Sequence, residues 1–419
     1  MVRKEEPMNP AKKKVVAVAL ITAVALLGDS MLLIVLPVYW QEFDLTSIWQ
    51  IGLLLSINRF VRLPINPIVG MFYQRFQLRT GMFIALSIAI ITTAGYGFTQ
   101  EFWLLIVLRI LWGIAWSLLR LGGFLTVIDV TTDKNRGSFV GLYNGLWGLG
   151  GLVGMLAGGL LVDQTSIAFV TSSFSIVGLV ALPVVFYFVP ISKNEEKEHV
   201  QGIKKKRAWL TPYVSLILLT GTTMGFIVFG LFASTLSTLI EGAYQNEWEI
   251  ADLTIGAATL AGFVQAVRWA WDPFIAPRIG KILDGANKPS IVLLIPLFVG
   301  GVLFFILVNV HTIIALMISL VIFQFLSTMF VTTTDTLATS AAVQTDKVKV
   351  MTAHTVVVDI GAAIGPLLAF TVIDLYGLTF VYYFSGVILV VVGIIWMFYS
   401  ALTGSKTPTS RMQEIKHFK

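Results

Sequence analysis

The chain is written as long apolar runs separated by short polar breaks. Twelve runs approach or exceed the ~20 residues that carry a helix across a hydrocarbon core. They are Val15–Trp40, Ile48–Phe72, Thr80–Phe98, Phe102–Val127, Phe139–Val162 and Ile167–Val189, then Tyr213–Ile240, Leu253–Ile275, Ile291–Val308, Thr312–Thr333, His354–Ile373 and Thr379–Ser400. A polar stretch, Ile191–Thr211, parts the sixth run from the seventh. The pattern predicts an all-α membrane protein: a tail (1–14), six helices (15–190), a linker (191–211), six more helices (212–402) and a second tail (403–419). The first run exceeds the 7–15 residues of a signal-peptide core, so it reads as a retained span.

One helix breaks the apolar rule in an ordered way. At 100° per residue, Arg109, Trp112, Trp116 and Arg120 fall within about 80° of one another, with Leu, Ile and Val opposite. Arginine at mid-bilayer costs ~3 kcal/mol on insertion scales, so such a face turns towards protein or a wet cavity. Asp29, Arg59, Arg62, Arg268 and Asp359 also fall near mid-membrane, with Asp272 and Asp335 nearer one surface. Five lipid-facing arginines would cost roughly 15 kcal/mol, as much as a typical total folding stability. The first half sets four arginines against Asp29 alone, whereas the second sets Arg268 against three aspartates. Arg268 and Asp272, four apart, are placed to pair on one helix.

Composition supports the membrane reading: 56% hydrophobic residues and 12% charged, against about 25% charged in soluble domains. There is no cysteine, and the four histidines show no metal-ligand spacing. No cofactor, metal, nucleophile–base constellation or nucleic-acid partner is expected, and the chain does not read as an enzyme. The net charge of +6 is a topology signal. With both termini cytoplasmic, 24 of 29 Lys and Arg fall on inside segments, five lie within spans, and the outer loops hold none. That is the positive-inside pattern, expected of a multi-pass protein of a bacterial cytoplasmic membrane.

The halves repeat. Pro67 and Gly70 at the end of span two recur 210 residues on as Pro277 and Gly280, and Gly150-x-x-x-Gly154 recurs as Gly361-x-x-x-Gly365-Pro366. Six spans plus six with an internal repeat is the plan of a transporter that rocks two bundles about a midplane site.

At these residues the chain resembles the major facilitator superfamily. Gly70, Gln74, Arg75 and Arg79 follow its loop after span two, with glutamine for the usual acid, and the second copy keeps Gly280 and Asp284. Gly150, Gly154, Gly158 and Gly159 follow the antiporter motif of span five, with Met155 for proline. Arg109-Ile110-Leu111-Trp112-Gly113 follows the span-four motif of proton-coupled exporters, with tryptophan for glutamine. Asp133-Lys134-Asn135-Arg136-Gly137 is similar to the family's loop four. The resemblance implies the major facilitator fold of two pseudo-symmetric six-helix bundles, and within it the drug:proton antiporter branch. It implies a monomeric carrier of a small-molecule substrate, exchanged for protons by alternating access.

Asp29 is the leading proton carrier, with Arg109 and Asp359 beside it; the plainer reading of Asp29 is a fixed ion pair with Arg59 or Arg62. Arg59, Arg62, Trp112, Trp116, Arg120, Tyr143, Asn144, Trp147, Arg268 and Gln324 are candidates for the substrate cavity, against ordinary packing. Gly70, Arg75, Arg79, Asp272, Gly280, Asp284 and the glycine motifs with Pro366 are candidates for gating. Three functions follow: an exporter of amphipathic molecules, a carrier of an anionic or zwitterionic metabolite, siderophore-like compound or lipid headgroup, and a sensor or scaffold on a transporter fold.

Overall fold

The computed structural model describes residues 10–130, 136–189, 210–243, 248–250, 253–285, 289–310, 312–345 and 347–403. Among them are twelve long helices: α1 Pro10–Val38, α2 Trp49–Arg75, α3 Leu78–Phe98, α4 Phe102–Val130, α5 Arg136–Gln164, α6 Ile167–Phe188, α7 Pro212–Ala243, α8 Ala257–Gly285, α9 Pro289–Leu307, α10 Ile313–Gln344, α11 Lys347–Tyr376 and α12 Leu378–Thr403. Ten are long and apolar enough to cross a membrane. The other two, α2 and α8, are the repeat-related pair that carry Arg59 with Arg62 and Arg268 with Asp272. The side chain of Asp284, the loop 131–135 and nearly all of the linker lie outside the described residues.

Three features differ from the expected pattern. Several helices run past the apolar runs, α10 and α11 most of all, because a helix keeps its hydrogen bonds after its side chains turn polar. Trp248–Ile250 and Leu253–Ile255 pair as a short antiparallel hairpin, so α8 begins after the expected start. Within α7 the stretch Gly225–Phe232 winds as wide π-turns. There Gly225 and Gly230 press against the α11 backbone: a Cβ would lie 2.2 Å from Val358 O and 2.8 Å from Gly365 Cα respectively.

Large apolar side chains cover the outside, such as Ile176 and Val180 on α6, Ile291 and Val302 on α9, and Phe384 and Phe398 on α12. The interior holds Arg62, Arg109, Arg268 and Gln324, all buried. This inverts the soluble pattern, as a hydrocarbon solvent requires. One apolar cluster is built almost wholly from residues 214–396 and two others from residues 15–189, with Phe370 of α11 joining one of the latter.

The glycine motifs do two jobs. Gly150 and Gly154 seat α5 against the backbone of α1 at Ala23 and Leu27, and Gly158 against the side chain of Met31. Gly361 and Gly365 seat α11 against α7 in the same relation. Other glycines join early helices to late ones. A Cβ on Gly52 of α2 would lie 2.6 Å from Pro366 O on α11, and one on Gly159 of α5 would lie 2.5 Å from Ala258 O on α8. Such grooves let backbones touch, which is how helices associate where no hydrophobic effect drives them. Gly70 and Gly280 have open space around them, so they pack against nothing.

Candidate functional site

The first half of the interior is organised by an ion pair between Asp29 of α1 and Arg109 of α4. The guanidinium also donates from Nε to Leu54 O of α2 at 2.8 Å and stands 6.0 Å from the centroid of the Tyr96 ring on α3. Asn58 Nδ2 of α2 donates to the same Asp29 oxygen at 3.3 Å. Three helices thus meet at one carboxylate, and α3 backs its arginine partner. This corrects the expected partner: Asp29 is held by Arg109, not by Arg59 or Arg62.

Arg59 turns the other way. Its Nη2 donates at 3.2 Å to Phe229 O, a carbonyl in the π-turn of α7. The Phe229 ring in turn lies 5.1 Å from the Arg268 guanidinium. Arg268 is 3.6 Å from Asp272, the expected pair, and the Thr328 hydroxyl donates to the other Asp272 oxygen. Asp359 makes no ion pair within 4.0 Å among the described residues; it lies near Arg59 and Arg62 and interacts with both electrostatically. Neither Phe229 nor the π-turn was legible beforehand, because a main-chain acceptor leaves no mark in residue type.

Trp112 and Trp116 are buried, as the stripe predicts, whereas Arg120 is exposed. An aromatic series runs from Trp116 to Trp147 at 5.3 Å and on to Trp269 of α8 at 5.8 Å, with the Arg62 guanidinium 5.4 Å from the Trp116 ring. Trp269, not among the expected cavity residues, carries the aromatic series into the second half. Arg62 Nε and the indole nitrogens of Trp112 and Trp116 are buried without a hydrogen-bond acceptor. Asn144, exposed, accepts from Trp147 Nε1 at 3.0 Å.

Two expected cavity residues are bonded to neighbouring helices. Tyr143 is buried against Gly123, and its hydroxyl donates to Leu119 O at 3.3 Å, tying α5 to α4. Gln324 is fully buried and donates to Gln265 Oε1 at 3.0 Å and Val264 O at 3.3 Å, tying α10 to α8. An amide or phenol inside a bilayer protein needs a partner, and a neighbouring helix supplies it as readily as a substrate.

A groove of about 550 Å³ runs along α8 and α10, lined by Asp272, Thr328, Thr332, Asp335, Thr339 and Ser340 among others. His354 Nε2 of α11 lies 3.0 Å from Asp335. At the opposite end the early and late helices are fastened. Asp163, at the end of α5, accepts from the backbone N–H groups of Gly256 and Thr259 and from the Thr259 hydroxyl, capping α8, and Tyr39 donates to its other oxygen at 2.6 Å. The Ser56 hydroxyl accepts from Leu367 N at 3.1 Å, and Ser47 donates to Asp374 at 3.3 Å. Arg79 donates twice to Val189 O at the end of α6, while Arg75 is exposed.

An apolar exterior around a charged interior, with glycine-packed helices paired across a repeat, defines a multi-pass membrane transport protein. The profile described as Major Facilitator Superfamily matches residues 18–343, more than half the sequence, and the chain belongs to that superfamily. Among curated relatives, "Multidrug resistance protein MdtG" of Salmonella arizonae is 28% identical over 285 residues, 62% of this chain and 64% of that protein. "Tetracycline resistance protein, class H" of Pasteurella multocida is 26% identical over 178 residues, 42% of this chain and 44% of that one. The matched region therefore spans just under two thirds of the first of these. A bacterial homologue of the human lysosomal transporter Spinster, solved in an inward-facing and occupied conformation, superposes with TM-score 0.75 at 14% identity, covering 96% of this chain and all of that one.

Proposed function

We propose that the protein is a proton-coupled exporter of small amphipathic molecules, working by alternating access between two six-helix bundles, α1–α6 and α7–α12. All twelve helices cross the membrane in this reading, with both termini cytoplasmic. The observation that carries it is the interior Asp29–Arg109 pair, where one carboxylate of α1 is shared by α2 and α4. The multidrug and tetracycline resistance names of the relatives support export, and the aromatic series offers flat surfaces to an amphipathic ring system. The fastened end at Asp163 and the groove towards Ser340 correspond to the inward-open half of a cycle. A proton from outside neutralises Asp29 and loosens Arg109; substrate from inside meets the carboxylate ionised.

The test is proton flux in proteoliposomes carrying a trapped pH dye, driven by an ethidium gradient. Ethidium movement should drive protons the opposite way. Ethidium flux with no counter-movement of protons would refute coupling. Alternating access makes a second prediction. Because the chain has no cysteine, Ser47→Cys with Asp374→Cys gives a clean cross-linkable pair at the fastened end. Oxidation should cut transport at least tenfold and reduction should restore it; transport that survives complete cross-linking, assayed by gel shift, would argue against rocking.

A second reading, an anionic or zwitterionic substrate, is favoured by the unpartnered Arg62 Nε and indole N–H groups. A buried donor left unsatisfied costs about 1–3 kcal/mol, and a substrate carboxylate would satisfy several at once. Arg62→Gln should then weaken binding of naphthalene-2-sulfonate at least tenfold while leaving ethidium within twofold, measured by calorimetry. Equal effects on both ligands would remove this reading.

A further inference from the structure

We propose that protons reach Asp29 from outside by a route separate from the substrate path, through a pocket inside the first bundle whose floor is Tyr96. The inference rests on Asp29 being the proton carrier. The pocket, about 360 Å³, lies between the connection leading from α1 to α2, the end of α3 and the start of α6. Glu42, Gln100 and Ser166, all exposed, stand at its mouth, and Phe43 and Tyr96, both buried, at its floor. Every lining residue belongs to the first half.

Tyr96 joins this pocket to the ion pair. It is only 2% exposed. Its ring faces the Arg109 guanidinium, and Asp29 and Thr92 lie near it. Its hydroxyl stands beside Arg109 and Thr92 but meets no partner at full hydrogen-bond geometry among the described residues. A buried phenol whose hydrogen bonds are incomplete gains from water, and this one lines a cavity large enough for several waters. A phenol O–H can accept a proton from a water on one side while giving its own to the other. The phenol oxygen ends unchanged: a hydronium in the pocket becomes water, and the phenol's own proton passes through a bridging water to Asp29.

Separation from the substrate path has a mechanical consequence. The contacts that fasten the outer end, Gly52 on Pro366 O and Asp163 on α8, bar a substrate-sized molecule. They do not cross the pocket. Asp29 can therefore be loaded from outside before the fastened end parts, and protonation can precede the opening that releases substrate. With Asp29 ionised and paired, the Tyr96 ring faces Arg109 at the inner side of the pocket.

The experiment compares Asp29→Asn, Tyr96→Phe and Ala168→Cys in sealed right-side-out vesicles, where an external acid jump is followed by the infrared carboxyl band that Asp29→Asn removes. Ethidium export driven by the pH gradient and ethidium exchange without one are measured on the same vesicles. Ala168 lines the pocket, and its cysteine, the single one in the chain, can be plugged by an impermeant thiol reagent and cleared by reductant. Tyr96→Phe and plugged Ala168→Cys should slow carboxyl protonation and gradient-driven export at least tenfold and leave exchange within twofold; reductant should restore the cysteine variant. If both protonate at the unmodified rate while Asp29→Asn lacks the band, the route is wrong and the carrier stands. If the band and coupling survive in Asp29→Asn, the carrier itself is wrong.

Discussion

Asp29→Asn should lower gradient-driven export by about a hundredfold, the equivalent of about 2.8 kcal/mol, while leaving ethidium exchange between the two sides within a few-fold. The asparagine oxygen can still accept from Arg109 and Asn58, as the carboxylate does, so the helix junction is kept. What is lost is the proton. The fixed neutral side chain mimics the loaded carrier in every state, so the cycle no longer senses the pH difference. Folding should suffer modestly, because Arg109 keeps a neutral acceptor and its bond to Leu54 O. Removing a buried partner outright costs about 3–5 kcal/mol, so Asp29→Ala should also destabilise the protein and is the less informative variant. The check is paired: gradient-driven export and exchange on one preparation. Loss of both would mark a folding defect, and retention of both would exclude Asp29 as the coupling group.

Gly262→Leu should arrest transport at least twentyfold with the protein still folded. Gly262 of α8 faces the α5 backbone, where a Cβ would lie 2.5 Å from Met155 O and 3.2 Å from Leu156 Cα. Backbone cannot step aside as a flexible side chain can. Overpacking costs about 1–3 kcal/mol, and here the cost falls only on the state in which α5 and α8 touch. The bundles should part at the Asp163 end and stay parted. A single cysteine at Thr259, beside Asp163, should then react with an impermeant external reagent at least tenfold faster. Unchanged labelling with unchanged transport would show that this crossing is not a gate. Gly150→Leu, by contrast, would meet Ala23 of α1 within the first half, and its effect should be misfolding.

These two residues show how much the sequence could tell. Apolar periodicity and charge placement gave the twelve helices, because both follow from the bilayer alone. Spacing gave the Arg268–Asp272 pair and the buried faces of Arg109 and Trp112. Partner choice was not legible. By position Asp29 read as a partner for Arg59 or Arg62, and only the packing of α1 against α4 selects Arg109. Gly159 and Gly158 look equivalent in a motif, yet one meets α8 and the other α1, since adjacent residues on a helix face about 100° apart. The Phe229 carbonyl and the Asp163 cap use main-chain atoms, which every residue carries. Tyr143 and Gln324 looked like cavity residues because a polar group in an apolar span signals a partner without saying which.

The sign of proton linkage separates the whole account from its rivals. Ethidium binding to purified protein can be followed in weakly buffered detergent solution with a pH indicator. A cation that competes with a proton for Asp29 must expel it; by reciprocity the proton weakens the cation's binding by the same factor. The account predicts release of up to one proton per ethidium bound, and none from Asp29→Asn. Proton uptake on binding, or release that persists in Asp29→Asn, would contradict it.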